Sequence, residues 1–175
     1  MNINSLDNLD EYKIIDLGCG NGRIIIDFKD KLNKPFLYIG IDCCKELIEI
    51  AKKNNEEENV YFINMDIDKI DEYFLNKYKN YIFLFESSLC MVKYPSRILK
   101  LISQISNNIL LSRIWLSKNN KIYNKPHKWP GFKDFSYNWR LTYDYLNKNT
   151  NMTIINGIIV EQNNDAILQN VYLHH

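Results

Sequence analysis

The sequence predicts a doubly wound α/β domain built on a mostly parallel β-sheet. Its 175 residues are enough for one buried core, so residues 1–175 are treated as a single domain. Short β-branched apolar runs alternate with helical patterns through the first two thirds of the chain. These runs are almost continuously apolar, which is typical of parallel strands covered on both faces. Right-handed crossovers between such strands place helices on both sides of the sheet.

The individual elements follow from local patterns of apolar residues. Short β-branched runs predict five strands, at residues 13–17, 36–41, 60–63, 81–85 and 108–111, with the last extending towards residue 114. Apolar stripes at helical spacing predict the intervening helices, at residues 22–32, 47–51, 73–78 and 95–105. Pro95 suits the first turn of the fourth helix, because the N–H that it lacks would have no helical partner there.

The pattern changes after residue 115. Residues 117–137 are polar and aromatic, and they predict a long structured loop. Trp139, Tyr143 and Leu146 follow at helical spacing, which predicts a last helix with these three residues on one face. Two late strands are predicted at residues 152–160 and 166–173, joined by a hairpin turn at residues 163–165.

Composition narrows the range of partners and compartments. The net charge of +1 gives no strong field towards nucleic acid or anionic lipid. No apolar run approaches the roughly 20 residues that span a bilayer, and the polar, acidic N-terminus does not resemble a signal peptide. The cysteines lack the C-x-x-C spacing of zinc sites, so we expect no metal and free, mostly buried thiols in a cytoplasmic protein. These cysteines are Cys19, Cys43, Cys44 and Cys90.

The most informative segment joins the first predicted strand to the first helix. Asp16 ends the strand, and Gly18, Gly20 and Gly22 follow at alternate positions. Glycines let the backbone turn sharply and let a ligand lie directly on it, and the helix N-terminus offers unpaired N–H groups. A dinucleotide fingerprint, G-x-G-x-x-G, requires glycine where this chain has Arg23, which disfavours a nicotinamide-dependent oxidoreductase.

The pattern D-x-G-x-G-x-G resembles motif I of the class I S-adenosylmethionine methyltransferases. Two further acids stand in register with that family, Asp42 at the end of the second strand and Asp66 after the third. The resemblance covers approximately residues 13–113. Together with the terminal hairpin, it implies a seven-stranded sheet of order 3-2-1-4-5-7-6 whose last strand is antiparallel. It also implies S-adenosylmethionine as the cofactor and S-adenosylhomocysteine as the product.

The resemblance assigns roles to the acids around the motif. Asp42 would accept hydrogen bonds from both ribose hydroxyls, and Asp66 would accept one from the adenine amino group. Asp16 would lie near the amino group of the methionine end and contact it directly or through water. Ile41, Cys43 and Ile67 would enclose the adenine ring. Asp42 and Asp66 are equally suited to be helix N-caps, since both follow strands and precede helices. The complete implied cofactor set is Asp16, Gly18, Cys19, Gly20, Gly22, Asp42, Cys43, Asp66, Ile67 and Glu86.

Glu86 and His127 are the candidate catalytic residues. Methyl transfer requires an aligned nucleophile and, for some acceptors, removal of its proton. Glu86 follows the fourth strand, where it would bind the cofactor amino group, orient the acceptor or act as a base, unless it is only a solvated carboxylate. The ordinary pKa of a histidine side chain suits proton transfer, which makes His127 a candidate, although a surface loop histidine is the favoured interpretation. The N/D-P-P-Y tetrad of methyltransferases acting on DNA and protein glutamine is absent, which argues against those acceptors.

The loop at residues 117–137 is the candidate acceptor side. Trp129, Phe132 and Tyr137 are predicted to form an aromatic wall for the substrate, or to anchor the loop onto the core. The motif begins near residue 13, so little or no N-terminal lid is expected. The pocket would then be open, closed by this loop, or completed by another subunit.

The leading functional hypothesis is methylation of an oxygen or nitrogen on a small-molecule or sugar-like metabolite. One alternative is an RNA or protein methyltransferase with an open pocket, for which Lys125, Lys128 and Lys133 are the only indication. Another is a non-catalytic, cofactor-binding partner subunit. A small molecule is therefore the expected partner, nucleic acid is disfavoured, no membrane is expected, and a homodimer or heteromeric partner stays open.

Overall fold

The computed structural model describes residues 10–106, 108–117, 122–124, 139–150, 153–162 and 165–174. Within these ranges the strands are β1 Tyr12–Leu17, β2 Phe36–Asp42, β3 Val60–Asn64, β4 Ile82–Glu86, β5 Asn108–Ser112, β6 Ile114–Ser117, β7 Tyr123–Asn124, β8 Trp139–Arg140, β9 Thr153–Gln162 and β10 Asp165–His174. The α-helices are α1 Ile24–Lys31, α2 Lys45–Asn54, α3 Glu72–Asn76, α4 Pro95–Ser103 and α5 Tyr143–Thr150.

The parallel part of the sheet has the order β3-β2-β1-β4-β5, which confirms the predicted open α/β architecture. β10 pairs antiparallel with β5, with β6 and with β9. Because the first five strands are parallel, their carboxyl ends lie along one edge of the sheet. The ends of β1, β2 and β4 therefore bring together Asp16, Asp42 and Glu86, and this edge is where ligands bind in doubly wound folds.

Both faces of the sheet are buried along the central strands β1 and β4, as the continuous apolar strands predict. Within β4, Phe83 and Phe85 belong to one core cluster, whereas Ile82 and Leu84 belong to the other. The first cluster includes the buried face of α4, and the second includes that of α1. Alternate residues of one strand thus stabilise opposite helical layers, and the strand ends are held between them.

The predicted fifth strand is divided in the structure. Arg113 adopts a left-handed backbone with φ 53°, and it separates β5 from β6. The apolar run from residue 108 to residue 114 predicts a single strand, but a left-handed residue turns the backbone out of the extended conformation. The break changes the direction of the chain at the carboxyl edge of the sheet.

The predicted last helix is wrong at its beginning. Trp139 lies in β8, which pairs antiparallel with β7, and its Nε1 donates to the Val92 carbonyl oxygen across 3.0 Å. The helix α5 begins only at Tyr143. Thr142 caps it, because its Oγ1 accepts a hydrogen bond from the backbone N–H of Tyr145. Helical spacing of aromatic residues misled the prediction, because a threonine cap stops the helix from extending further towards the N-terminus.

Other predictions concern the cysteines and the loop. All four cysteines are free, but only Cys19 and Cys90 are buried, so the expectation of mostly buried thiols holds for two of the four.

The predicted loop at residues 117–137 contains the strand β7, while residues 118–121 and 125–138 lie outside the described part of the chain. Asn163 and Asn164 of the predicted turn also lie outside it. Among the described residues, no helix has the length and apolar character needed to span a membrane.

Candidate functional site

The glycine loop lies directly on the carboxyl edge of the sheet. The backbone N–H groups of Gly18 and Cys19 both donate to the Ile41 carbonyl oxygen, at 2.7 and 3.0 Å. All three glycines of the motif have positive φ, namely 88° at Gly18, 56° at Gly20 and 75° at Gly22. This run of left-handed residues is accessible to glycine and strained for other residues, which explains the alternate spacing seen in the sequence.

The three glycines serve different purposes. A Cβ on Gly18 would lie 2.3 Å from Ser88 Cβ, and one on Gly22 would lie 2.9 Å from Phe62 Cζ. These two positions therefore allow close packing against neighbouring elements. A Cβ on Gly20 would meet no atom within 4 Å. Gly20 thus leaves an open stretch of backbone on which a ligand can lie.

Asp16 is buried beneath this loop, with 1% of its surface exposed. Its Oδ2 accepts a hydrogen bond from the Tyr38 hydroxyl at 2.7 Å, whereas its Oδ1 has no partner among the described residues. Burial raises the pKa of Asp16 to about 7, the Tyr38 hydrogen bond opposes this, and the charges of Glu86 and Asp42 add to it. A buried carboxylate oxygen without a donor is costly, so the site is suited to a cationic hydrogen-bond donor.

Asp42 fixes the conformation of the loop. Its Oδ2 accepts from the backbone N–H of Gly20 at 2.9 Å, and its Oδ1 accepts from that of Cys44 at 2.8 Å. Cys44 is the N-cap residue of α2. The expectation that Asp42 is a helix N-cap is therefore wrong, since Asp42 binds the backbone N–H of the N-cap residue instead. Each of its carboxylate oxygens can still accept a further hydrogen bond. Asp42 is half-buried and retains capacity to accept from paired hydroxyls.

Asp66 also has a structural role. Its Oδ1 accepts from the backbone N–H of Asp68 at 3.0 Å and caps the 3-10 turn Ile67–Lys69. Partial burial and the charges of Asp42 and Asp66 raise the pKa of the Cys43 thiol, which reflects the proximity of these three groups. The side chain of Ile67 approaches the loop, with Cδ1 3.7 Å from the position of a Cβ on Gly18.

A cleft of about 450 Å³ opens between α1 and the carboxyl ends of β1, β4 and β5. Five of the predicted cofactor residues line it, namely Asp16, Gly18, Cys19, Gly20 and Glu86. The others do not, namely Gly22, Asp42, Cys43, Asp66 and Ile67. Half of the predicted cofactor residues therefore line this cleft, and the other half lie outside it. The predicted residues His127, Trp129, Phe132 and Tyr137 lie outside the described part of the chain.

The cleft also contains polar residues that the sequence analysis did not assign. Arg23 lies at the N-terminus of α1, Ser112 is the last residue of β5, and Arg113 directly follows it. All three line the cleft together with Ser87. Arg113 forms an ion pair with Glu86. The strand-end rule that identified Glu86 applies equally to the end of β5, but the predicted strand extended towards residue 114 and therefore included position 113.

Metal ligands are not assembled in the described residues. No group of three or more histidine, cysteine, aspartate or glutamate side chains there could hold a metal ion. The cleft instead combines an open glycine backbone, a buried carboxylate and two arginine side chains.

Comparisons with known proteins agree with this geometry. A family model described as a methyltransferase domain matches residues 8–163. The uncharacterised protein MJ0284 of Methanocaldococcus jannaschii is 46% identical over 65 residues, which are 36% of this chain and 29% of that relative. The chain thus matches less than a third of the length of this relative.

Several solved structures share the fold at low sequence identity. The N-terminal domain of EvdMO1 with SAH bound has a TM-score of 0.69 at 14% identity, covering 93% of this chain and 74% of that one. Magnesium protoporphyrin IX methyltransferase from Synechocystis PCC 6803, with bound SAH, has a TM-score of 0.66 at 12% identity, covering 99% and 78%. A Haloferax volcanii methyltransferase described as putative, in complex with the Trm112 activator, gives 0.64 at 13% identity, covering 96% and 85%.

The resemblance inferred from motif I is confirmed by a family match that covers most of the chain. The predicted cofactor, S-adenosylmethionine, agrees with the family and with the SAH present in two of these neighbours. The chain therefore belongs to the family of methyltransferase domains.

Proposed function

We propose that the chain binds S-adenosylmethionine across the glycine loop and transfers its methyl group to an oxygen or nitrogen of a small-molecule acceptor. The observation that carries the proposal is Asp16 Oδ1, a buried carboxylate oxygen at the cleft without a donor among the described residues. The methionine end of the cofactor carries an ammonium group, which would supply the missing donor. Its positive charge would also favour the ionised form of Asp16.

The other charges of the cleft suit the same end of the cofactor. Lys31 is paired with Asp27 at 3.1 Å and Arg113 with Glu86, whereas Arg23 forms no ion pair among the described residues. A guanidinium group binds a carboxylate in a two-pronged geometry. Arg23 is therefore assigned to the cofactor carboxylate, and Asp16 with Glu86 to the ammonium.

The adenosine end would lie across Gly20 towards β2 and β3. The open backbone at Gly20 accommodates the ligand, and Asp42 has lone pairs left for the ribose hydroxyls. Asp66, Cys43 and Ile67 keep their assigned place around the adenine ring. In this arrangement Asp42 acts twice, because it also holds the loop through Gly20 N–H.

The bound cofactor supplies an electrophilic methyl group on sulfur and leaves as a neutral thioether. The chain must align the acceptor and keep water away from the ionic groups. Glu86 is already engaged by Arg113, so a role as general base requires that this ion pair opens. His127 stays the second candidate base, and Trp129, Phe132 and Tyr137 stay candidate acceptor contacts.

A partner-dependent methyltransferase is the second candidate function. One structural neighbour was solved in complex with the Trm112 methyltransferase activator. In this chain β3 stands at one edge of the sheet, and Tyr61 on it is 54% exposed. An exposed edge with an aromatic side chain favours pairing with another chain. Label transfer into a metabolite extract that appears only when the protein fraction of a cell extract is also added would support this alternative.

Ligand binding tests the proposal without knowledge of the acceptor. Because a ligand that binds only the native state raises its stability, S-adenosylhomocysteine should increase the melting temperature, whereas NAD should not. Asp16→Asn should abolish most of the shift, and Asp30→Asn on the exposed face of α1 should preserve it. Transfer of tritium from labelled cofactor into a metabolite extract then tests catalysis. A shift with NAD instead of S-adenosylhomocysteine would refute the proposal.

A further inference from the structure

The mouth of the cleft carries a guanidinium group held by a carboxylate. Arg113 directly follows β5 and forms an ion pair with Glu86, the last residue of β4. The Arg113 side chain is 60% exposed, and that of Glu86 is 14% exposed. Both residues line the cleft together with Asp16. The carboxylate is therefore fixed within the cleft wall, while the guanidinium extends towards solvent and is free to exchange partners.

The backbone on both sides of this ion pair is strained. Ser87 has φ 62° and Arg113 has φ 53°, and among the described residues these are the two positive values outside glycine. Pairing between the strand ends holds them, since the Ser87 N–H donates to the Ser112 carbonyl oxygen at 2.8 Å. Left-handed residues other than glycine persist where the surroundings enforce them, and they cluster at ligand sites.

A purely structural role does not explain this arrangement. An ion pair with an exposed guanidinium contributes little to folding, because water and salt screen it. A strained backbone at two successive strand ends costs stability. What the strained backbone achieves is placement, since it brings the Glu86 and Arg113 side chains to the same cleft.

We propose that Arg113 binds an oxyanion of the methyl acceptor, a carboxylate or a phosphate, and that Glu86 holds the guanidinium until the cofactor arrives. This inference rests on the proposed function, because the cofactor ammonium is the group that replaces Arg113 at Glu86. The exchange is between two cations at one carboxylate, so Glu86 keeps a cationic partner while Arg113 is released to bind the acceptor. Cofactor binding thus precedes and strengthens acceptor binding.

The choice of an oxyanion follows from the remaining charges. A guanidinium group presents parallel N–H donors that match a carboxylate or phosphate. Among the cations that line the cleft, Lys31 is paired with Asp27, and Arg23 is assigned to the cofactor carboxylate. Arg113 is then the cation that is released when Glu86 changes partner.

Calorimetric titration with benzoate and with inorganic phosphate tests the inference. The protein is titrated with each probe, alone and saturated with S-adenosylhomocysteine. In the wild type, saturation should strengthen binding of at least one probe by about tenfold, the effect expected of one released charged pair. Preference for benzoate indicates a carboxylate acceptor, and preference for phosphate indicates a phosphate ester.

Three variants make the test specific. Arg113→Asn removes the guanidinium while retaining a residue that tolerates the left-handed conformation. It should lose this probe binding, and its affinity for S-adenosylhomocysteine should rise by up to about tenfold, because no guanidinium then competes for Glu86. Glu86→Gln should bind the probe without S-adenosylhomocysteine as well as the saturated wild type does. Lys53→Gln removes an exposed charge from α2, outside the cleft, and should behave like the wild type.

The possible failures are distinguishable. Unchanged probe binding in Arg113→Asn, or a large loss of S-adenosylhomocysteine affinity in that variant, overturns the inference, since Arg113 would then be idle or would bind the cofactor. If the wild type does not bind S-adenosylhomocysteine, the proposed function fails instead. In that case Glu86→Gln is compared with Glu86→Gln/Arg113→Asn, and equal probe binding overturns the assignment of Arg113 as an oxyanion site.

Discussion

The Tyr38 hydroxyl donates a hydrogen bond to Asp16 Oδ2 across 2.7 Å, and Asp16 Oδ1 has no partner among the described residues. Both side chains are buried at the carboxyl edge of the sheet. One oxygen of the carboxylate therefore has a hydrogen-bond partner, and the other is available to a ligand. This asymmetry orients Asp16 and reserves one oxygen for a ligand, at a cost in the stability of the free protein.

That cost should appear in the pH dependence of unfolding. The pKa of Asp16 is raised from 3.8 to about 7 in the folded protein, so between these values the folded state binds more protons than the unfolded state. The stability contributed by protonated Asp16 is complete below pH 3.8 and is lost as the pH rises through about 7. Three units of pKa correspond to a loss of up to about 4 kcal/mol. Urea unfolding at pH 4, 6 and 8 measures it.

The variant Asp16→Asn should remove this pH dependence. It should be more stable than the wild type at pH 8 and similar to it at pH 4, while binding S-adenosylhomocysteine much more weakly. Asp30→Asn is the control, because Asp30 is exposed on α1 and outside the cleft. If Asp16→Asn is less stable than the wild type at pH 8, burial of the ionised Asp16 carboxylate does not destabilise the protein, and the explanation is contradicted.

Tyr38→Phe should shift the pH dependence of cofactor affinity upwards. The Tyr38 hydrogen bond is the interaction that lowers the pKa of Asp16 against the effect of burial. Without it, ionised Asp16 requires a higher pH. In the wild type, the affinity for S-adenosylhomocysteine should rise with pH and level off above about 7. Fluorescence titration from pH 5.5 to 9 should place the levelling-off higher in Tyr38→Phe, and identical profiles would count against the Tyr38 contact.

Alanine substitutions in the glycine loop should separate packing from ligand binding. Gly20→Ala adds a methyl group that meets no protein atom within 4 Å. Its left-handed conformation costs about 1 kcal/mol, so the variant should fold but bind the cofactor weakly. Gly18→Ala brings a methyl group to 2.3 Å from Ser88 Cβ and should destabilise the fold itself. Thermal unfolding and calorimetry distinguish the two, and full cofactor affinity in Gly20→Ala would remove the loop from the site.

Asp42→Ala should weaken both the fold and cofactor binding. The loss leaves the N–H groups of Gly20 and Cys44 without their acceptor, which corresponds to about 1–3 kcal/mol. A residue that contacted the cofactor alone would leave the stability of the fold unchanged, whereas the two backbone contacts of Asp42 predict a loss of both. Asp71→Ala is the matched control, since Asp71 accepts from Phe74 N–H at the start of α3. It should lose comparable stability and keep the cofactor affinity. Equal affinity losses in the two variants would mean that Asp42 affects cofactor binding only through the stability of the fold.

The strand ends of the parallel sheet were predictable from the sequence. Continuous apolar runs give the strands, and the glycine spacing then places Asp16, Gly20 and Glu86 at one edge. The hydrogen bond between Tyr38 and Asp16 was not predictable, because it depends on how β1 and β2 are aligned. In that alignment Asp16 lies opposite Gly40, two residues from Tyr38.

The residues after β5 were missed for a different reason. Hydrophobic periodicity detects extended and helical segments, but it does not reveal a left-handed residue within an apolar run. Arg113 therefore looked like part of a strand, and its contact with Glu86 was not foreseen. Trp139 was misassigned because its spacing to Leu146 fits a helix, whereas the cap at Thr142 limits α5.

Proton release on binding tests the central assignment most directly. Titration of S-adenosylhomocysteine at pH 6.5, in MES and in imidazole buffer, gives the number of protons released from the difference in heat. With the pKa of Asp16 at about 7, the wild type should release roughly three quarters of a proton as Asp16 ionises against the ammonium group. Asp16→Asn should release none. Binding of equal strength in both proteins, without proton release in either, would contradict the account.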